Sequence, residues 1–325
     1  MIKRDSFMKY TENALNILAA KSFKNIGAQK IVDYITNKDD ISSIVSKLSR
    51  FSTDNMTITE FQERKNKIKY KFENSDLGAD GVVAFGDDKF PKVRGNVETS
   101  KQPICLFYKG NLDLLNFDNP CVAVIGLLTP DINIEKRETK VVHELVKKDI
   151  TIVSGLALGC DTIAHRTALQ YYGKTIAILP SPLHNILPKE NRKLAEDIVH
   201  QGGLLISEYY EDFSSVMELR GRYEMRDRLQ ALFSNAVILA ASYSQSDKGK
   251  DSGSRFAMRD ALKYNIRRAV IFNEEMDKGN PMYNLAREVL KENDNTIVIN
   301  GKTLDCSIDE ISKLKPNFYY QEYLL

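Results

Sequence analysis

A doubly wound α/β fold around a mostly parallel sheet is predicted by three observations. From residue 118 onward, short apolar runs alternate with segments of helical periodicity. Several of those runs, "CVAVIG" at 121–126 first among them, are continuously apolar rather than alternating, which marks strands buried on both faces. The helical segments between them are about 10–15 residues long, the length needed for right-handed crossovers between parallel strands.

The elements follow in order. The first 75 residues read as helical: "TENALNILAAKSF" places Ala14, Leu15, Leu18 and Ala19 on one stripe, and "AQKIVDYI" and "ISSIVSKLSRF" repeat that spacing. "FKNIGAQK" is a Gly-containing link, and "MTITEFQERKNKIKYKFENSDLG" is a polar, basic helix ending near Gly78. Residues 76–117 are lead-in: the strand of "GVVAFGDDKFPKVRG", an acidic turn, and the strand of "PICLFYKGNLDLL" closed by Gly110. Residues 118–292 carry the alternating series "CVAVIG", "EKRETKVVHELVKKD", "ITIVSG", "DTIAHRTALQYYG", "KTIAILP", "ENRKLAEDIVHQGG", "LLISEYY", "EMRDRLQALFSN", "AVILAA", "SRFAMRDALKYN" and "RRAVIFN". This unit is Rossmann-like, and its ligands are expected beyond the carboxyl ends of the strands, in the loops after Gly126, Gly155, Leu179, Ser207 and Ala241. Residues 293–325 form a tail with one strand, a Gly turn and a short helix, too plain for a winged-helix module.

Composition bounds the function. At 325 residues with 42% hydrophobic and 28% charged residues, the chain has an ordinary globular balance and room for more than one domain. A net charge of +2 gives no global field for nucleic acid, so any basic surface is local. Cys105, Cys121, Cys160 and Cys306 are scattered, without a metal-ligand spacing, as expected of reduced thiols in a cytoplasm. No run reaches the length of a membrane span and the start lacks a signal-peptide core, so a cytoplasmic protein without a membrane partner, metal or cofactor is expected.

Three loops could bind an anion. In "IVSGLALGCDTIAH" the strand ends at Ser154 and Gly155, Gly159 turns the chain, and Asp161 suits a helix N-cap. Such a turn serves equally as tight packing or as a phosphate seat at a helix N-terminus. Asp161 and His165 are one turn apart and could hydrogen-bond each other. "MELRGRYEMRDRLQALFSN" gathers Arg220, Arg222, Arg226 and Arg228 among Glu218, Glu224 and Asp227. Arginine forks suit phosphate, and a solvated face laced with ion pairs is the other reading. In "SYSQSDKGKDSGSRFAMRDAL", Ser252, Gly253, Ser254 and Arg255 converge at a helix start, with Lys248 and Lys250 upstream. Pro180, Pro182 and Pro188 stiffen a further loop, in which His184 has no metal-ligand partner. Tyr209, Tyr210, Phe213 and Tyr223 could stack bases or belong to the core.

Taken in order, these segments resemble the DprA/Smf family of DNA-processing proteins. "IVSGLALGCDTIAHRTAL…GKTIAIL" is similar to the family's SGLAxGIDxxAHxxAL…GxTIAVL, "LPKENRKL" to YPxxNxxL, and "GGLLISE" to GxLLSE. "YEMRDRLQALFSNAVILAA" is similar to FPxRNRIIAGLSxxVVVVEA and "DSGSRFAMRDAL" to SGSLxTAxxAL. "NALNILAAKSFKNIGAQKIVDYI" looks like the family's N-terminal SAM-like helical module. The resemblance implies a non-enzymatic protein that binds single-stranded DNA in a basic pocket, loads a RecA-type recombinase during natural transformation, and dimerises. It implies DNA or phosphate contacts at Gly126, Ser154, Gly155, Arg222, Arg226, Arg228, Lys250, Ser252, Gly253, Ser254 and Arg255. Gly159, Asp161, His165 and Glu208 are then scaffold. The sequence departs from the family where a Gly-Ser-Arg becomes Gly126-Leu127-Leu128 and where FPxRN becomes Tyr223 to Asp227 with two acids, and no C-terminal winged helix is expected from its tail. Two other readings stand beside DNA binding: a nucleotide sensor or processing protein of the wider superfamily, and an interaction module docking through its helices and its "KPNFYYQEYLL" tail.

Overall fold

A computed structural model describes residues 8–247, 253–292 and 295–316. Among them a nine-stranded sheet runs in the order β1-β2-β6-β5-β4-β3-β7-β8-β9. Its strands are β1 (Gly81–Ala84), β2 (Cys105–Gly110), β3 (Cys121–Ile125), β4 (Thr151–Ser154), β5 (Thr175–Leu179), β6 (Leu204–Ser207), β7 (Ala236–Leu239), β8 (Arg267–Ile271) and β9 (Ile297–Ile299). The predicted doubly wound, Rossmann-like α/β architecture is present: β3 to β9 are parallel, while β1 and β2 add an antiparallel margin on β6. The chain walks from β3 outward to β6, then crosses back to lay β7 on the other side of β3. That reversal is the topological switch point, where adjacent loops diverge and leave a crevice.

The continuous apolar runs take the most enclosed places. All five residues of β3, β5 and β7's four are buried, consistent with helices on both faces. Helices α1 (Glu12–Lys21), α2 (Ala28–Tyr34), α3 (Ile41–Leu48) and α4 (Ile58–Asn74) precede the sheet. Among the crossovers are α5 (Ile132–Val146), α6 (Cys160–Gln170), α7 (Arg192–His200), α8 (Val216–Leu232) and α9 (Ser254–Lys263). The short α10 (Glu274–Asp277), α11 (Asn284–Lys291) and α12 (Leu304–Ser312) complete the set.

Two hydrophobic clusters lie on opposite faces of the sheet, and the period of two divides each strand between them. On β5, Ile176 and Ile178 join one cluster, Ala177 and Leu179 the other; on β6, Leu204 and Ile206 oppose Leu205. The second cluster is completed by α1 to α4, so the N-terminal helices pack directly on the sheet. Phe72 of α4 meets Phe107 of β2 edge-on at 5.9 Å and Tyr210 at 5.6 Å. The predicted helical and lead-in segments are present, but α8 begins at Val216, eight residues before "EMRDRL". Ser215 accepts from the Glu218 amide and Glu218 accepts from the Ser214 amide at 2.9 Å, a capping box that starts the helix early. No described helix is long and apolar enough to cross a membrane.

Candidate nucleic-acid interface

A crevice of about 800 Å³ opens at the switch point, between the loops after β3, β4 and β7 and the side of α8. Arg226 is its central cation. Its guanidinium lies 3.6 Å from Asp161 and 3.2 Å from Asp227, with Tyr223 5.6 Å away. Turning the Gln230 amide oxygen inward lets it accept from Arg226 at 2.9 Å and from the Gly155 amide at 3.0 Å. Arg226 Nε is the atom that faces Asp227, an ion-pair contact that lacks hydrogen-bond geometry, so this buried cation is held by charge more than by directed bonds.

Gly155 exists for this arginine. A Cβ there would collide with the Arg226 guanidinium, so only glycine lets it lie flat on the β4–α6 turn. The Gly155 amide donates to Asp161 Oδ2 at 3.1 Å, as does Ala157 at 3.2 Å. Asp161 therefore turns back over the loop, and Gly159, at φ +71°, takes the N-cap position expected for it. Leu156 holds φ +62°, an unusual state for leucine, fixed by Asn191, whose amide donates to Leu156 O at 2.8 Å and Thr162 Oγ1 at 2.8 Å. Asn191 comes from "LPKENRKL" and anchors the loop across sequence, a role that spacing did not reveal.

His165 does not bond Asp161. Its Nδ1 lies 2.7 Å from Thr175 Oγ1, whose hydroxyl already donates to Ile152 O at 2.8 Å, so Nδ1 carries the proton. Burial, with Arg226 nearby, pushes its pKa down to about 3, and the ring is neutral. Ser154 is likewise turned inward, donating to Val124 O at 2.7 Å.

The four arginines diverge. Arg220 is exposed and lines the crevice rim, and Arg226 lines its floor. Arg222 points elsewhere, gripping Glu218 at 2.5 Å and Glu211 O at 2.8 Å beneath Tyr209 at 4.1 Å. Arg228 is buried in a bidentate pair with Glu208, both contacts 2.7 Å, and also donates to Lys101 O at 2.9 Å. These engaged donors make Arg222 and Arg228 braces of α8 rather than groups facing the crevice. Glu208 is the buried carboxylate that holds Arg228 in place.

At the far wall Gly253, at φ +80°, caps α9, and Ser254 donates to Gly126 O at 3.1 Å. The first turn of α9 faces the crevice, which favours an anion. Arg255 is half-exposed beside the Phe256 ring, 4.2 Å from its centroid. Lys248, Lys250, Ser252 and residues 317–325 lie outside the described residues. Leu127 is buried in the core whereas Leu128 is 50% exposed on the lip beside Leu158. Of the four predicted aromatics, Tyr223 lines the crevice, and Tyr210 belongs to the core against Phe107 at 5.3 Å. Pro188 also lines it, while His184 pairs with Asp212 at 3.3 Å.

Fold and site together define a class: a Rossmann-like α/β domain with an open crevice at its switch point, Arg226 on its floor and the first turn of α9 at its wall. Residues 81–302 match the DNA recombination-mediator protein A family, and the chain belongs to it. It is 40% identical over 239 residues to DNA processing protein DprA of Streptococcus pneumoniae, spanning 74% of this chain and 81% of that protein. It is 36% identical over 155 residues to Protein Smf of Synechocystis, spanning 47% of this chain and 37% of that protein. The structure of S. pneumoniae DprA superposes with a TM-score of 0.69 at 24% identity, over 96% of this chain and 100% of that one. Helicobacter pylori DNA processing protein A, described for its single-stranded DNA binding mode, superposes with a TM-score of 0.54 at 26% identity, over 71% and 95%. The resemblance read from the ordered motifs is thereby borne out.

Proposed function

We propose that the chain binds single-stranded DNA non-covalently in the switch-point crevice and performs no chemistry on it. The observation that carries this is Arg226: a buried guanidinium, held by ion-pair contacts at 3.2 and 3.6 Å, on the floor of an open crevice in a member of a DNA-processing family. Arg220 at the rim, Arg255 beside Phe256 and the first turn of α9 give a phosphate backbone further contacts, and Tyr223 offers a base a stacking surface. Oligo-dT anisotropy at low salt tests it. Arg226→Ala and Arg220→Ala should each weaken binding about tenfold, the loss of one charge-assisted contact. Wild-type affinity in both variants would sink the idea.

A second reading is favoured by one feature, the carboxylates Asp161, Glu224 and Asp227 lining the same crevice beside apolar Leu128 and Leu158. A mononucleotide fits that mixture, and a thermal-shift series with mononucleotides, beside oligo-dT, separates the two. In the mediator role, the bound strand passes to a RecA-type recombinase in the cytoplasm and the protein acts as a homodimer. Light scattering and co-sedimentation with a recombinase on oligo-dT test those steps.

A further inference from the structure

A second cavity, of about 450 Å³, lies at the opposite edge of the sheet. Its walls are the chain leading into β7, β8 and β9, together with Arg94, Gly95 and the chain after α12. Among the described residues that line it, five are cations, Arg94, Arg267, Arg268, Lys313 and Lys315, and none is a carboxylate. The crevice at the other edge presents Arg220 and Arg226 against Asp161, Glu224 and Asp227. Among the described lining residues, the cavity carries more positive charge than the crevice.

Some of this charge is answered outside the lining: Arg268 pairs with Glu292 at 2.6 Å, and Arg267 lies 3.7 Å from Glu310 while donating to Asn295 O at 2.9 Å. Arg94 is different. It is 1% exposed, and its Nη2 donates only to the carbonyls of Phe117 at 3.2 Å and Asn119 at 2.7 Å. Its Nε and Nη1 have no partner among the described residues, nor has the fully buried Ser234 Oγ in the same lining. The Cys121 thiol beside it is a weak acceptor, already donating to Leu114 O at 3.7 Å. A buried guanidinium with two idle N–H edges is costly unless an acceptor reaches it.

We propose that this cavity is a second anion site that takes a phosphate group. Arg94 and Ser234 would meet it from the floor, and Lys313 and Lys315 from the mouth. A doubly charged tetrahedral group matches several cations better than a single carboxylate does. Free phosphate and the phosphate of a nucleic-acid strand share this chemistry, and the test has an arm for each.

The experiment is hydrogen–deuterium exchange on the full chain, alone, with inorganic phosphate, and with oligo-dT. Exchange should slow at residues 94–97, 264–268 and 311–316. The exposed pair Lys313→Glu with Lys315→Glu should weaken the phosphate effect about tenfold or more without unfolding the protein, as circular dichroism would register. Protection by phosphate but not oligo-dT identifies a small phosphorylated ligand, and protection by oligo-dT identifies a strand backbone. No slowing at these segments with either probe, or equal slowing in the double variant, overturns the proposal. Because the readout is local, a failure here leaves the crevice untouched.

Discussion

At the scale of single residues, the crevice is governed by what surrounds Arg226. Gly155→Ala would drive a methyl into that guanidinium, while the backbone conformation itself tolerates alanine. The expected outcome is displacement of Arg226, oligo-dT binding weakened about tenfold, and a stability loss of about 1–3 kcal/mol from local overpacking. Anisotropy beside urea unfolding measures both. Asp227 sets a pH dependence. Burial pushes its carboxyl up to about 7, with Asp161, Asp260 and Glu224 adding to the rise and Arg226 only partly opposing it. A carboxyl raised on folding is neutral in the folded chain while ionised in the unfolded one, between about pH 4 and pH 7. Its contribution to stability is therefore fully present below that window and lost as pH rises through it. With Asp227 neutral, Arg226 is least compensated. Oligo-dT binding should strengthen as pH falls from about 8 to about 6, and Asp227→Asn should flatten that profile. Parallel profiles for the two proteins would refute the assignment.

At the scale of elements, α8 is both brace and floor. Its residues alternate between tasks: Arg222 ties it to the loop after β6, Arg226 enters the crevice, and Arg228 locks it to Glu208. The last pair is nearly solvent-free, with side chains 4% and 9% exposed. Removing one partner strands the other's charge in the core. Glu208→Ala should cost about 3–5 kcal/mol in urea unfolding, far more than an exposed ion pair would. Replacement by glutamine, which retains one acceptor, should cost less. A cost below that of an exposed pair would mean that Arg228 finds another partner.

At the scale of the whole molecule, two features follow from how the sheet is covered. The helices over residues 12–74 supply much of one hydrophobic face, including Phe61 and Phe72, against β2, β5 and β6. Deleting residues 1–75 should leave an aggregating chain, seen by light scattering, because that face would present a large apolar patch to water. The other feature is charge. With a net charge of +2 and, among the described residues lining the crevice, two cations and three carboxylates, few counterions are released on binding. The logarithmic salt dependence of oligo-dT binding should be no steeper than about 2. A slope of about 5 or more would require a broad basic track.

Much was legible in the sequence, for identifiable reasons. Period and continuity of apolar residues depend only on local geometry and burial, so "CVAVIG", "KTIAIL" and "AVILAA" declared buried parallel strands, and the ordered motifs declared the family. The glycines at 155 and 159 marked the turn that forms a wall of the crevice. Side-chain direction was not legible, because it depends on partners distant in sequence. Four arginines within nine positions look alike on paper, yet Glu218 claims Arg222, Glu208 claims Arg228, and Gly155 makes room for Arg226. Nor did any spacing show that β9 would pair with β8, or that Arg94, Ser234 and Lys313 would meet across the lower edge of the sheet. The sequence by itself determined the elements and their lineage. Only the tertiary structure decided which charges face solvent and which are spent inside, since pairing is settled by proximity in space and by the cost of burying an uncompensated charge.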